Sequence, residues 1–218
     1  MNNFNYTAWF ERANVFTARW DREPARVASP PVCSEAEIRA VEEQLGKRLP
    51  EAMTEFFRAC GAANGFLIST TVDDWWIHGG GRWNLANVPD MYLYQCEIAS
   101  WYEEDSNRTN AGEMAAFLRN SLPLIGNVRG DYVSLDLRNG ESQPVGLFCH
   151  DMEGWPILSP SLPEFLQEWE LCGYCALDFW TLPEFCTAEG ILSGDTAVAG
   201  ERRELLQVAR ATSGRLRQ

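Results

Sequence analysis

The sequence predicts a fold of the α+β class, in which helices and strands occupy separate stretches of the chain. Two helices with clear end signals fill residues 34–65, apolar and polar residues alternate between 132 and 149, and another capped helix begins at Ser161. Helical spacing and strict alternation are the patterns of a helix and a strand that each bury one face. The 218 residues, 45% of them apolar, are enough to bury a core.

The first 28 residues are predicted to form a helical extension that packs onto the rest of the protein. Apolar residues recur there at helical spacing: Tyr6, Trp9, Phe10, Ala13, Phe16 and Trp20. The stretch REPARVASPPV then ends the pattern, because it carries the Pro-Pro signal of a loop. We therefore divide the chain into a helical extension (1–28), an α+β domain (29–175) and a C-terminal extension (176–218) that packs on the domain and ends in a basic tail.

A helix hairpin opens the domain. Ser34 and Glu37 have the spacing of a capping box, and Gly46 has the position of a left-handed C-terminal cap. Pro50 is suited to the start of a second helix, where its missing N–H costs nothing. The charges of the hairpin sum to −2, so it lacks the basic face of a DNA-reading helix.

The strands are predicted from residue 66 onward. FLISTTV and DDWWIHGGGRWNL indicate two strands, with a glycine turn at Gly79–Gly81. Residues 86–121 show no clear pattern apart from a helix around 114–118. VSLDL and PVGLFC indicate two more strands, the capped helix at Ser161 follows, and RRELLQVARA is a last helical candidate.

The stretch GDYVSLDL contains two carboxylates that could form a catalytic or metal-binding pair. Alternation in this strand places Asp131 and Asp136 on opposite faces, so the two cannot share a proton or an ion. Apolar positions in the next strand are also odd-numbered, which requires an odd connection of three or five residues around 138–142. The prediction places Asp136 opposite Pro144, on the less buried face of the sheet.

The charge of the chain favours a basic protein partner. The net charge is −13, with −15 in residues 61–199 and +3 in the tail 200–218. An acidic body repels nucleic acid and anionic membranes, and it attracts basic proteins. An acidic surface that only keeps the protein soluble is the alternative.

Catalytic machinery is scarce in the sequence. The chain has one lysine, Lys47, and two histidines, His78 and His150, both at positions typical of surface histidines. Cys172 and Cys175 form a CxxC pair, but they follow a helix C-terminus, where the helix dipole opposes a thiolate. We therefore expect no enzyme activity, no cofactor and no metal.

The cysteines and the hydropathy pattern predict a cytoplasmic protein. The seven cysteines are an odd number, scattered through apolar segments, which is typical of reduced and buried thiols. No apolar run is long enough for a membrane helix, and the N-terminus lacks the features of a secretory signal.

Two stretches combine carboxylates with large aromatic residues. The candidate partner-binding residues are Asp73, Asp74, Trp75 and Trp76 in the first stretch and Trp101, Glu103, Glu104 and Asp105 in the second. Aromatic residues anchor protein interfaces, and carboxylates suit a basic partner. The alternative is a solvated turn beside a core aromatic residue, which explains each stretch adequately.

Three segments resemble the SUKH superfamily. They are SEAEIRAVEEQLGKRLPEAMTEFFRACGAANG, LPLIGNVRGDYVSLDL and VGLFCHDMEGWPILSPSLPEFLQEW, which together span about residues 33–172. The resemblance implies an antiparallel meandering sheet flanked by helices and a protein that is not an enzyme. Bacterial members are chiefly immunity proteins that neutralise polymorphic toxins, many of them nucleases, and a fungal branch acts as a scaffold in cell-wall regulation.

The resemblance and the charge together predict a bacterial, cytoplasmic immunity protein that binds a toxin domain, possibly a nuclease, through its acidic surface. The alternative is a regulatory scaffold that joins other proteins without inhibiting a toxin. The sequence leaves the oligomeric state open.

Overall fold

The computed structural model describes residues 4–17, 32–60, 65–72, 75–104, 109–127, 130–138, 140, 143–149, 156–178 and 180–213. The helices are α1 (Tyr6–Thr17), α2 (Glu35–Leu45), α3 (Glu51–Cys60), α4 (Val88–Glu104), α5 (Ala111–Arg119), α6 (Leu162–Leu171) and α7 (Ala197–Ser213). The strands are β1 (Phe66–Val72), β2 (Trp75–Gly81), β3 (Ser121–Gly126), β4 (Tyr132–Asp136), β5 (Val145–Phe148) and β6 (Ile157–Ser159). The fold is therefore α+β, as the sequence predicts.

The main sheet is an open antiparallel meander in the order β3-β4-β5-β6, and β1 and β2 form a separate ribbon. In the meander Val133 lies opposite Leu147 and Leu135 opposite Val145. The amide of Asp136 donates to the carbonyl of Pro144 at 2.9 Å. The predicted odd register is thereby confirmed; residues 139 and 141–142 of the connection lie outside the described part.

Both faces of the sheet are buried, which corrects the prediction of a less buried face around Asp136. Ser134 and Asp136 are 0% and 1% exposed. Leu135 belongs to the main core on one face, whereas Phe117 and Phe148 belong to a second apolar cluster formed with α4 and α5. The prediction fails because α4, which covers this second face together with α5, shows no clear helical pattern in the sequence.

The main core is centred on the indole of Trp9. Trp9 is fully buried, and its ring lies 6.2–6.3 Å from the rings of Phe56, Trp83, Trp169 and Tyr174. Its indole N–H donates to the carbonyl of Leu166 at 3.1 Å. The predicted N-terminal helix is thus confirmed as a packed helix, although Trp20 lies outside the described residues.

The main apolar cluster takes side chains from both ends of the described chain, including Tyr6 of α1 and Leu206 of α7. The division of the chain at residues 28 and 175 stays a prediction. Its outer parts nevertheless supply core side chains, since Trp9 and Leu206 are buried.

The glycine turn predicted at Gly79–Gly81 is wrong, because these residues lie inside β2 and pair with β1. Close backbone packing requires the glycines. A Cβ on Gly79 would lie 2.0 Å from the carbonyl oxygen of Tyr174, and one on Gly81 would lie 2.3 Å from Cγ2 of Ile125. From local sequence alone, a glycine-rich run indicates a turn. Here the absence of side chains instead allows Tyr174 and Ile125 to pack directly against the backbone of β2.

The helix caps agree with the sequence. Ser34 and Glu37 form the capping box, and Gly46 ends α2 at φ 64°. Ser161 accepts a hydrogen bond from the amide of Glu164 at 3.4 Å at the start of α6. Among the helices of the described residues, none combines the length and apolarity needed to cross a membrane.

Candidate partner-binding surface

The predicted residues of the second acidic-aromatic stretch lie on the last turn of α4. Trp101, Glu103 and Glu104 are all exposed there, and Asp105 lies outside the described residues. Of the first stretch, Asp73, Asp74 and the side chains of Trp75 and Trp76 lie outside the described part. That stretch therefore stays a prediction, and α4 is the helix on which a candidate surface can be built.

The helix begins after a short 3-10 turn at residues 85–87. Asn84 caps this turn, since its side-chain oxygen accepts a hydrogen bond from the amide of Ala86 at 2.9 Å. Asp90 lies in the first turn of α4, where a carboxylate suits the positive end of the helix dipole. The sequence of α4, VPDMYLYQCEIASWYEE, contains no basic residue.

The inner face of α4 packs on α5 and on the second face of the sheet. Ile98, Ala99 and Tyr102 are buried, and they belong to one apolar cluster with Phe117 and Phe148. The helix is thus held by apolar packing along its C-terminal half, which keeps its outer face in a fixed position.

A buried glutamine fixes the middle of α4. Gln95 is fully buried, and its Nε2 donates to the carbonyl of Leu118 at 2.6 Å and to Oγ of Ser121 at 2.8 Å, with a longer contact of 3.3 Å to the Ser121 carbonyl. Its Oε1 accepts from the hydroxyl of Ser134 at 3.3 Å. The amide therefore links α4 to α5, β3 and β4, and it satisfies polar groups that the helix covers.

Tyr92 connects the first turns of α4 to the helix hairpin and to α5. The Nζ of Lys47 donates to the Tyr92 hydroxyl at 2.5 Å, and this hydroxyl donates to the carbonyl of Arg119 at 2.8 Å. Burial raises the pKa of Tyr92 to about 12, so the phenol stays protonated and can donate.

Six exposed residues form what we call the α4 outer face: Asp90, Leu93, Tyr94, Glu97, Trp101 and Glu104. At about 100° per residue, all six fall within an arc of about 100° on the side of the helix opposite Gln95 and Tyr102. Leu93 and Trp101 are 62% and 60% exposed, and Tyr94 is 44% exposed. Large apolar side chains and carboxylates therefore share one solvent-facing stripe.

Glu103 lies beside the α4 outer face. Unlike Asp90, Glu97 and Glu104, it forms an ion pair with another residue of the described part, Arg119. Glu103 accepts two hydrogen bonds from Arg119, at 2.8 and 2.6 Å, and Arg119 also donates to Oγ of Ser100 at 3.0 Å. Hydrogen bonding from the guanidinium holds the pKa of Glu103 below its usual range. Since Arg119 neutralises Glu103, the negative field of the face comes from Asp90, Glu97 and Glu104.

The ring of Tyr94 is held in position by a neighbouring aromatic residue, Tyr132. Its ring packs edge-to-face with that of Tyr132 at 6.4 Å, and Tyr132 stacks on buried Phe148 at 6.3 Å. An aromatic side chain held in one position loses little conformational entropy on binding, which suits an interface anchor.

The aspartates of GDYVSLDL have separate structural roles. Asp131 precedes β4, and its carboxylate accepts from Nδ2 of Asn127 at 2.8 Å. Asp136 ends β4, and its carboxylate accepts from Nε and Nη2 of Arg138 at 2.9 and 2.6 Å. The two carboxylates thus lie at opposite ends of the strand, and each has its own hydrogen-bond partner. Within the described ranges, no three His, Cys, Asp or Glu side chains are placed to hold a metal.

The CxxC pair is buried rather than reactive. Cys172 and Cys175 are both fully buried at the C-terminal end of α6. Burial raises the pKa of the Cys175 thiol well above its ordinary range, which opposes thiolate chemistry. The side chain of His78 and the whole of His150 lie outside the part of the chain that the structure describes.

Sequence reasoning missed four residues of the α4 outer face: Asp90, Leu93, Tyr94 and Glu97. A helical reading of residues 88–104 would have found them, because they share the helical stripe of Trp101 and Glu104. That reading was obscured because apolar residues occur on both sides of this helix.

A family profile described as SMI1 / KNR4 family (SUKH-1) matches residues 32–168, which include α4 and the whole main sheet. A search of curated proteins found no match.

Proposed function

Because this chain belongs to the SMI1/KNR4 (SUKH-1) family, we propose that it is an immunity protein that binds and neutralises the effector domain of a toxin. Members of this superfamily act as immunity or regulatory proteins, and they act by binding rather than by catalysis. The effector domain we propose is basic, as in a nuclease, and the site of action is the bacterial cytoplasm.

The α4 outer face is the observation that carries this proposal. Leu93, Tyr94 and Trp101 expose apolar area together, although isolated apolar residues are the norm on a protein surface. Trp and Tyr are the residues that most often supply the binding energy of an interface. Three carboxylates among them select a partner surface with basic groups around an apolar centre.

Electrostatic attraction between this acidic chain and a basic effector domain would drive binding and inhibition. A nuclease domain carries basic side chains where it binds phosphates, and the carboxylates of the α4 outer face would occupy the same groups. The net charge of −13 adds a long-range field that speeds the encounter with a basic protein. Occupation of the groove would exclude nucleic acid by steric block and by charge, with no turnover.

The test is protection from the effector domain encoded beside the gene for this chain. Cells that express this domain should grow when they also express the wild-type chain and should stop growing with the Glu97→Lys variant. Glu201→Lys is the matched control, because Glu201 is also an exposed glutamate on a helix, α7. Equal protection by both variants would remove the α4 outer face from the proposal.

The salt dependence of binding separates the electrostatic mechanism from simple shape complementarity. Exposed charge pairs are screened as ionic strength rises, so the association rate should fall steeply between low and high salt.

If no toxin gene lies beside this one and the chain binds a basic protein without inhibiting it, the regulatory scaffold is the better description.

A further inference from the structure

We propose that the partner element that docks on the α4 outer face is an amphipathic α-helix whose basic side chains recur every seven residues. This inference rests on the proposed function, because it takes the α4 outer face as the binding surface. It goes further by stating the secondary structure of the partner element and the spacing of its charges. The spacing of the exposed side chains along α4 carries it.

The exposed carboxylates of α4 recur at an interval of seven residues. They belong to Asp90, Glu97 and Glu104. Because a helix rises about 1.5 Å per residue, neighbouring carboxylates are about 10.5 Å apart along the helix axis. Seven residues fall about 20° short of two full turns, so the three side chains form a line that runs almost parallel to the axis of α4.

The aromatic residues of the face have the same interval. Tyr94 and Trp101 are also seven residues apart, and they lie about 40–60° around the helix from the line of carboxylates. Leu93 lies on the other side of that line and is 62% exposed. The face therefore offers apolar contact area on both sides of a periodic row of negative charge.

A partner helix matches this period, whereas an extended strand does not. Two helices that cross at about 20° stay in contact along their length through side chains that recur every seven residues. Basic residues at i and i+7 of the partner would be about 10.5 Å apart on one face, so two of them can pair with neighbouring carboxylates at once.

Side chains on one face of a strand recur about every 6.6–6.8 Å. A strand that pairs one cation with Glu97 would therefore place its next cation about 4 Å short of the next carboxylate. The face extends about 21 Å from Asp90 to Glu104, which corresponds to about four turns of a partner helix.

The charge of the face requires the partner helix to be basic. The sequence of α4 contains no basic residue, and the nearby guanidinium of Arg119 is paired with Glu103. A second copy of α4 fits poorly on this face, because both helices would bring rows of carboxylates together, and like charges in contact oppose binding. A helix with arginine or lysine at the matching interval meets the row with opposite charge.

Two synthetic peptides of identical composition test the interval. Each is an alanine-rich helix of about 22 residues that carries three arginines, each followed four residues later by a leucine. One peptide spaces the arginines by seven residues, and the other spaces them by five, which spreads them around the helix. Circular dichroism checks that their helix contents are equal, and fluorescence anisotropy at low salt measures Kd for the wild-type chain.

The seven-residue spacing should bind about fivefold or more tightly than the five-residue spacing, because it lets several exposed charge pairs form together. Glu97→Gln should weaken the binding of the first peptide severalfold, since it removes the central carboxylate of the row. Glu201→Gln is the matched control and should leave Kd unchanged, because Glu201 is an exposed glutamate on α7.

Equal affinity for the two helical peptides, or no measurable binding of the seven-residue spacing, would overturn this inference. Tighter binding of an extended peptide that alternates arginine and valine would also overturn it. The proposed function fails on a separate measurement, the protection assay. Loss of protection by Glu97→Lys together with equal peptide affinities would remove only the helical partner, whereas the expected peptide preference together with full protection by Glu97→Lys would remove only the role of this face in immunity.

Discussion

Replacement of Gln95 by leucine tests whether a buried amide holds α4 on the sheet. The change keeps much of the side-chain volume but removes the hydrogen bonds at 2.6 and 2.8 Å and the two weaker contacts at 3.3 Å. It leaves the Leu118 carbonyl without its Gln95 donor and the Ser134 hydroxyl without its Gln95 acceptor. A buried hydrogen bond contributes about 1 kcal/mol and an unsatisfied buried group costs about 1–3 kcal/mol, so we expect a loss of about 2–4 kcal/mol.

Urea unfolding followed by tryptophan fluorescence measures this loss. Gln44→Leu is the control, because Gln44 is exposed on α2 and a surface change should stay within about 0.5 kcal/mol. A double variant with Ser134→Ala adds a stricter test: the serine change should cost less in the Gln95→Leu background than in the wild type, by about 0.5 kcal/mol or more. A Gln95→Leu protein as stable as the Gln44→Leu control would refute the role of the amide network.

Three further predictions concern the core and the thiols. Trp9→Ala should destabilise the protein by about 3–5 kcal/mol in urea unfolding, because it empties the centre of the main core, and a loss below about 1 kcal/mol would contradict the packing of α1. Gly81→Ala should cost about 1–3 kcal/mol, since its Cβ would overlap Ile125, and a thermal unfolding midpoint equal to the wild type would show that the sheet can yield at no cost. In the native protein, Cys175 should resist a thiol reagent at pH 8 and should react only on unfolding. Its raised pKa disfavours the thiolate, and its full burial keeps the reagent away from the sulfur. Rapid labelling of Cys175 in the native protein, mapped by mass spectrometry, would contradict this prediction.

The helix hairpin could be predicted from the sequence because its signals are local. Ser34, Glu37 and Gly46 act within one or two turns of helix, so neighbouring residues decide the outcome. The register of β4 and β5 was equally accessible, since the parity of the apolar positions fixes which residues can pair.

The two incorrect predictions, for Asp136 and for the glycines of β2, concern contacts between residues that are distant in sequence. The alternation of β4 predicts a less buried face for Asp136, but α4 helps to cover that face. This helix has apolar residues on both sides and so lacks a clear amphipathic pattern. The glycine run predicts a turn, but glycine is required at 79 and 81 because Tyr174 and Ile125, which are distant in sequence, pack against the strand.

The candidate surface was predicted only in part for the same reason. Local composition predicts Trp101 and Glu104, whereas Leu93 and Glu97 share a face with them only because residues 88–104 form a helix. The charge of Glu103 predicts a role in binding, but its pairing with Arg119 depends on the packing of α5 against α4 and is not visible in the sequence.

The most direct measurement of the central claim compares two exposed tryptophans in binding to the neighbouring effector domain. Trp101 on the α4 outer face is 60% exposed, and Trp180, near the start of the C-terminal region, is 67% exposed. By titration calorimetry, Trp101→Ala should weaken binding by about 2 kcal/mol or more, roughly thirtyfold in Kd, as expected for an aromatic interface anchor. Trp180→Ala should leave Kd unchanged. Unchanged affinity for Trp101→Ala, or an equal loss for both variants, would contradict the assignment of the α4 outer face as the binding surface.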